Sequence, residues 1–356
     1  MNIIFTCDTL GSGGAERVIS TLSNEFVKRG HLVSIVMLSK EAGSPFYELD
    51  SKISLLYLGS KLRKNDGFFK KSRILRECLE EKNPDVVIAF LSYVCIYTWW
   101  ALRTTQIPFI VSERNDPSQR PLIKQKLLNL AFKKAKGCVF QTEDSAKWYK
   151  NIGKNKSTII YNPVKLNYDS TILKCAKQQI LYVGRFSDQK NLFMLIDAFK
   201  IFKEKHPEYK LKMYGDGPNK QDIVSYINKL RMSNDVLICA SSKVWQNEEF
   251  NSKLFVLPSK FEGMPNALAE ALCLGIPSVS TNCPIGGPKE LKKIFKNSLI
   301  LSKDMSSNEF ALAMESGIKI ENSNVKIPSE LDQVSIATQW LKFINDKVEV
   351  ENKNVR

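Results

Sequence analysis

Short β-branched and aromatic runs alternate along the chain with longer stretches in which apolar residues recur three or four apart. The runs at 2–6, 32–38, 53–57, 85–89, 109–112, 138–141 and 158–160 read as strands. The stretches at 15–29, 67–82 and 119–136 read as amphipathic helices. After Tyr161-Asn-Pro-Val164 comes a polar segment, 165–177, without a strong pattern, which reads as a linker. The scheme then restarts, with strands at 179–183, 210–214, 236–239, 254–257, 278–280 and 298–301 and helices at 191–205, 219–230 and 265–274. A last amphipathic stretch, 330–346, suits packing across either half, and the tail after Val348 is expected to fray.

Strands alternating with helices of this length predict an α/β chain with two doubly wound, Rossmann-like domains whose parallel sheets are covered on both faces. The expected division is 1–164, 165–328, and a C-terminal helix with its tail at 329–356. Two such domains facing a central cleft would place their strand ends around one ligand site. A length of 356 residues, 43% of them hydrophobic and 25% charged, fits two cored domains and argues against disorder or a disulfide-stapled scaffold. Eight scattered cysteines without a Cys-x-x-Cys pair, and only His31 and His206, point to reduced cytosolic thiols and no zinc site. The first residues run directly into a strand pattern, so no signal peptide is expected. The longest uncharged apolar stretch, 90–102, is shorter than the ~20 residues that span a bilayer and reads as a buried or interfacial segment.

Charge changes the picture. The formal net charge is +15, and residues 1–165 hold 26 Lys+Arg against 15 Asp+Glu, a net of +11. The remainder holds 26 against 22, a net of +4, so the basic excess sits in the first half and implies a polyanionic partner there. Lys61, Arg63, Lys64, Lys70, Lys71, Arg73 and Arg76 cluster around Phe68 and Phe69, opposed only by Asp66. Arg120, Lys124, Lys126, Lys133, Lys134 and Lys136 form a second group on a helical pattern. Cations interleaved with aromatics suit an anionic bilayer surface, or form only a solvated basic face.

Three motifs carry candidate chemistry. Gly11-Ser-Gly-Gly-Ala-Glu16 follows the first strand and opens the first helix, where glycines let a phosphate approach free N–H groups or simply make a tight turn. The dinucleotide fingerprint is broken at Glu16, which disfavours a nicotinamide enzyme. Gly184-Arg-Phe-Ser-Asp-Gln-Lys190 places two cations at a helix start, which the helix dipole disfavours unless an anion is bound; Arg185 can fork onto phosphate oxygens and Lys190 adds a point charge. In Pro258-Ser-Lys-Phe-Glu-Gly-Met-Pro-Asn-Ala-Leu-Ala-Glu270 a loop carboxylate and a helix carboxylate lie eight apart, able to reach two parts of one ligand, or merely favourable near a helix start.

The ordered set Gly-Gly-Ala-Glu-Arg (13–17), Gly-Arg-x4-Lys (184–190) and Glu-x7-Glu (262–270) resembles the family 4 glycosyltransferases, retaining enzymes of the GT-B fold. Ser112-Glu-Arg-Asn-Asp-Pro117 and Cys283-Pro-Ile-Gly-Gly-Pro-Lys-Glu290 look like the branch that builds bacterial capsule, exopolysaccharide and lipid-linked oligosaccharides, and the resemblance spans about 1–345. It implies that Arg185 and Lys190, after Gly184, hold the donor diphosphate, and that Glu270 binds the ribose hydroxyls. Glu262, with the backbone of Gly263, Met264, Pro265 and Asn266, would face the transferred sugar and distal phosphate, and Gly13 and Gly14 would close over the phosphates. Many family members carry a histidine where this chain reads Ser112-Glu-Arg114, so Glu113 and Arg114 become candidate sugar or acceptor contacts.

The resemblance further implies a nucleotide-sugar donor, by default a UDP-sugar, and a lipid-linked saccharide acceptor on undecaprenyl diphosphate. The expected address is the inner face of the cytoplasmic membrane. No Asp-x-Asp pair occurs, so no metal or other cofactor is expected. Two other readings stay open: a GT-B sugar-nucleotide epimerase, and a basic polyanion binder. Nucleic acid is not the expected partner, because no helix-turn-helix, zinc-finger or RNP signature is present.

Overall fold

The structure, a computed structural model, describes residues 1–39, 43–61, 66–149, 152–166, 177–240, 242 and 245–354. The expected linker falls largely on 167–176, outside the described residues, as do Arg63, Lys64 and Cys175. Two compact units emerge, Met1–Pro163 with Ser329–Arg356, and Val164–Pro328.

The first unit runs β1 (Asn2–Cys7), α1 (Gly14–Lys28), β2 (Leu32–Met37), β3 (Ser54–Tyr57), α2 (Phe68–Lys82), β4 (Val86–Phe90), α3 (Ser92–Leu102), β5 (Phe109–Ser112), α4 (Leu122–Lys134), β6 (Gly137–Phe140), α5 (Glu143–Trp148) and β7 (Ser157–Ile159). The second contains β8 (Lys177–Val183), α6 (Leu192–Lys205), β9 (Lys210–Tyr214), α7 (Lys220–Lys229), β10 (Val236–Cys239), α8 (Trp245–Glu249), β11 (Ser252–Leu257), α9 (Asn266–Cys273), β12 (Ser278–Thr281), α10 (Gly287–Ile294), β13 (Leu299–Ser302) and α11 (Ser307–Gly317). The chain then returns to the first unit through α12 (Gln333–Asn354).

Each unit has one parallel sheet, ordered β3-β2-β1-β4-β5-β6-β7 in the first and β10-β9-β8-β11-β12-β13 in the second. Both orders reverse after their first strand, between β1 and β4 and between β8 and β11. Crevices at such reversals, beyond the carboxyl ends of the strands, are where doubly wound sheets take ligands.

Alternating strand residues feed two cores in the first unit. Ile3, Phe5, Val86 and Ile88 face Val18, Leu22 and Phe26 of α1 together with Ile336, Trp340 and Ile344 of α12. Ile4, Val87 and Ala89 face Leu75 and Leu79 of α2, Val94 of α3, and Leu128 and Phe132 of α4. The apolar stretch at 90–102 is thus mostly α3, held between α2 and α4 and therefore apolar around most of its girth. No helix among the described residues is long and apolar enough to cross a membrane.

Two element boundaries move for local reasons. The helix expected at 119–136 starts only at Leu122, because Pro117–Gln119 forms a separate turn and Pro121 stands at the cap. The final helix does not fray at Val348 but continues to Asn354, through a segment whose Glu349, Glu351 and Lys353 are good helix formers. Helices α3, α5, α8, α10 and α11 are not read as helices from the sequence pattern; α5 and α8 are only one to two turns long, while Ser306 and Glu309 carry a capping signature for α11, with Ser306 accepting from the Glu309 N–H at 3.3 Å.

Candidate active site

The second unit brings two of the three motifs together at its strand reversal. β8 ends at Val183 and Gly184 follows; an added Cβ there would lie 2.6 Å from the Tyr182 hydroxyl, and that hydroxyl donates to the Arg185 carbonyl at 3.1 Å. The turn Asp188–Lys190 follows and α6 begins after Asn191. From the neighbouring strand β11, the loop at 258–265 arrives alongside. Lys190 Nζ donates to Glu262 Oε1 at 2.5 Å, the Lys260 N–H donates to the Gln189 carbonyl at 2.8 Å, and Gln189 Nε2 donates to the Phe261 carbonyl at 2.8 Å. Glu262 is buried, whereas Arg185 is exposed and its guanidinium has no hydrogen-bond or ion-pair partner among the described residues. One committed cation and one free cation therefore share a loop, and the committed one is held by the carboxylate of the other motif.

A third segment, at 215–219 after β9, completes the cradle, and none of the three sequence motifs contains it. The Phe186 N–H donates to the Asp216 carbonyl at 2.8 Å and Asn219 Nδ2 to Asp188 Oδ1 at 2.5 Å. A Cβ on Gly215 would fall 2.0 Å from the Gly184 carbonyl, so only glycine lets these two strand ends approach. The Gly-Asp-Gly-Pro run at 215–218 after a strand was the available signal.

The loop before α9 is braced from behind. Thr281 Oγ1 donates to the Ser259 carbonyl at 2.5 Å, and a Cβ on Gly287 would meet the Gly263 carbonyl at 1.6 Å. The brace is itself strained, with Ile285 at φ 67° next to Gly286 at φ 70°. Pro265 caps α9 rather than entering its first turn, Asn266 opens the helix, and Met264 is buried. Burial, with the Glu262 carboxylate nearby, pushes the Cys283 thiol up to about 12. Glu270 lies buried on α9, its Oε2 accepting from Gln246 Nε2 of α8 at 2.7 Å.

The first unit holds the remaining candidates. At Gly13, the cap of α1, an added Cβ would stand 2.2 Å from Oε2 of Glu16, so a carboxylate folds back over the helix start next to Gly14. Burial raises the pKa of Glu16, its own backbone N–H opposing and Asp8 adding to the rise; Asp8 is raised by burial too, with Lys71 opposing. Tyr47, which no motif in the sequence marks, donates from its hydroxyl to the Ser12 carbonyl at 3.0 Å and fixes this loop.

Glu113 and Arg114, expected as sugar or acceptor contacts, both engage the unit's own interior. Glu113 accepts from the Tyr149 hydroxyl at 2.5 Å, from the backbone of Arg114 and Asn115, and from Arg120 at 3.4 Å. Arg114 lies over Phe90 and Trp340, 4.5 and 5.5 Å from the ring centres, and donates to Asn162 Oδ1 at 2.8 Å. Burial lowers its pKa to about 9, Glu113 opposing, and its Nε and Nη2 have no hydrogen-bond partner among the described residues.

Two family models match this chain: Glycosyltransferase Family 4 over residues 12–168 and Glycosyl transferases group 1 over 170–330. A similar protein is the GalNAc-alpha-(1->4)-GalNAc-alpha-(1->3)-diNAcBac-PP-undecaprenol alpha-1,4-N-acetyl-D-galactosaminyltransferase of Campylobacter jejuni, 28% identical over 99% of each chain. The lipopolysaccharide 1,6-galactosyltransferase of Salmonella typhimurium is 24% identical over 82% of this chain and 83% of its own. Among solved structures, HepE of Anabaena in complex with UDP superposes with a TM-score of 0.72 at 16% identity over 100% of both chains. The lipopolysaccharide outer core galactosyltransferase WaaB gives 0.70 at 19%, over 98% of this chain and 100% of that one. The shared architecture is the GT-B fold, with two parallel-sheet α/β domains.

Proposed function

Since this chain belongs to the family 4 glycosyltransferases, we propose that it moves a hexose or N-acetylhexosamine from a UDP-sugar to a saccharide carried on a lipid diphosphate, with retention of configuration, in the synthesis of a surface polysaccharide or glycan. The observation that carries this reading is the meeting of Lys190 and Glu262 at the β8/β11 reversal, with the exposed Arg185 guanidinium in the same loop. Arg185 and Lys190 bind the donor diphosphate. Glu262 and the backbone from Gly263 to Asn266 receive the sugar and distal phosphate, and Glu270 accepts from the ribose hydroxyls.

The acceptor oxygen bonds to the anomeric carbon on the face from which the diphosphate departs. The carbon–oxygen bond to phosphate breaks with its electron pair staying on the phosphate oxygen, which takes the acceptor's proton. Negative charge thus grows on the departing phosphate, and fixed cations there stabilise the transition state more than the ground state. The latch to Glu262 keeps Lys190 from swinging into solvent. No metal is assigned, because the two cations supply the neutralisation and the sequence has no Asp-x-Asp clamp.

The membrane is the proposed address of the first unit. On α4, Leu122 and Ile123 are each 74% exposed, and Leu127 and Leu130 also face solvent among Lys124, Lys126, Lys133 and Lys134. On α2, Phe69 is exposed, but Phe68 packs against Tyr97 and Trp100, while Lys70 and Arg73 pair with Asp66 and Glu77. Thus α4 is the better surface: exposed apolar residues, cations and no acid on one helix.

Thermal shift with UDP-, GDP- and ADP-sugars tests the donor. A bound donor at 100 times its Kd adds ~2.7 kcal/mol of stability, and an unmoved melting point with UDP-sugars alone would reassign the base. Transfer is expected to continue in excess EDTA; arrest that Mg²⁺ or Mn²⁺ reverses would mean that the cations do not suffice.

A further inference from the structure

We propose that Gln246 is a positioning residue for nucleotide recognition, its side-chain amide holding the Glu270 carboxylate in the orientation that meets the ribose hydroxyls. The inference rests on the ribose role given to Glu270 above. Helix α8 is only five residues long, yet it is firmly tied down. Glu249 at its end is fully buried and accepts from Lys212 and Gln179, and from the Tyr214 hydroxyl at 2.8 Å, so strands β8 and β9 both hold it. Glu248 lies 2.7 Å from the same hydroxyl.

Gln246 and Glu249 stand three apart and therefore share a helix face. With Glu249 anchored, the Gln246 amide is delivered to α9, where Nε2 donates to Glu270 Oε2 at 2.7 Å; both side chains are 2% exposed. A glutamate has three rotatable side-chain bonds, and recognition of a vicinal diol requires them fixed before the ligand arrives. A carboxylate offers about four acceptor positions on its two oxygens, of which the Gln246 amide occupies one. Glu262, the other carboxylate of the motif, is engaged with Lys190 instead.

The test is a cycle between side chain and ligand, using UDP and 2′,3′-dideoxy-UDP as probes with wild type, Gln246→Met, Gln246→Ala and Glu270→Ala. Wild type should prefer UDP, and Glu270→Ala should lose that preference. Gln246→Met keeps the side-chain length and deletes the donor, so its affinity for UDP should fall roughly tenfold while its affinity for the dideoxy ligand hardly changes. Gln246→Ala should behave alike. Because each ratio compares two ligands on one variant, a reduced folded fraction cancels. If both ligands weaken equally in the Gln246 variants, or neither does, Gln246 has no positioning role. If wild type binds the two ligands alike, the ribose assignment of Glu270 itself falls, and the Gln246 role with it.

Discussion

The two units share one strand order but fill their reversals oppositely. Beyond β8 and β11, the second unit gathers Arg185 and Lys190, with Lys190 latched by Glu262 and the two loops joined by the Lys260 N–H to the Gln189 carbonyl and the Gln189 amide to the Phe261 carbonyl. Beyond β1, the first unit has the glycine-rich loop usually associated with phosphate, yet the Glu16 carboxylate lies over its helix start and burial keeps Asp8 and Glu16 more easily protonated than usual. A doubly wound sheet thus supplies a crevice and a helix N-terminus, and the side chains decide whether an anion is welcome. By that measure the second unit is the one proposed to grip the diphosphate.

The contrast breaks most sharply on turnover. Arg185→Ala and Lys190→Ala should each lower kcat roughly 100- to 1000-fold, the usual consequence of deleting one electrostatic donor to a developing charge. Circular dichroism should show both variants folded, since Arg185 is exposed and Lys190 sits in a surface loop. Near-normal initial rates in either would withdraw the diphosphate assignment from the second unit.

The glycines of the two loops should also differ, this time in stability. At Gly287 a new methyl meets the Gly263 carbonyl at 1.6 Å, backbone against backbone, so Gly287→Ala must displace the loop before α9 and should cost on the order of 2–4 kcal/mol. At Gly13 the same methyl meets only the movable end of Glu16, and Gly13→Ala should lower the melting temperature far less. Equal losses in urea or thermal melts would mean that the first loop is as tightly built as the second.

A third contrast lies inside the first unit, between α2 and α4. Flotation with phosphatidylglycerol liposomes should weaken at least tenfold for Lys124→Glu/Lys126→Glu, as each cation near an anionic surface contributes about 1 kcal/mol. Lys70→Glu/Lys71→Glu/Arg73→Glu should weaken it less than three free cations would, because Lys70 and Arg73 are already paired. Added salt should release the wild type. Equal binding to neutral vesicles, or an α2 reversal stronger than the α4 one, would reassign the surface.

Periodicity made most of this fold legible, since strands flanked by glycine or proline and helices with three-to-four spacing rarely mislead. It could not give strand order, and it is the placing of β8 beside β11 that joins Lys190 to Glu262 across 72 positions of sequence. Partners chosen by tertiary packing were equally hidden: nothing local marks Gln246 as the neighbour of Glu270, or Arg114 as a cation packed against the stacked rings of Phe90 and Trp340. The charge clusters were visible, but which cations are spent on neighbouring acids appears only when α2 is built.

The smallest expected effect tests the acidic side of the comparison. A carboxyl whose pKa is raised by folding stays protonated over a pH range in which the unfolded chain has already ionised. The folded state then binds more protons, so stability falls as pH rises from the ordinary carboxylate range near about 4 through the raised value. Glu16 and Asp8 both have this sign. Glu16→Gln keeps the shape and the acceptor oxygen that faces the helix start but never ionises, so it should melt with wild type near pH 4 and above it at pH 7, by roughly 1–2 °C. The gap should open between those values and then stay level, because Asp8 still titrates in both proteins. A variant that melts lower than wild type at pH 7 would show that the Glu16 anion is stabilised by the helix N-terminus more than burial opposes it. The first loop would then favour negative charge as the second does, and the opposition between the two units would fail.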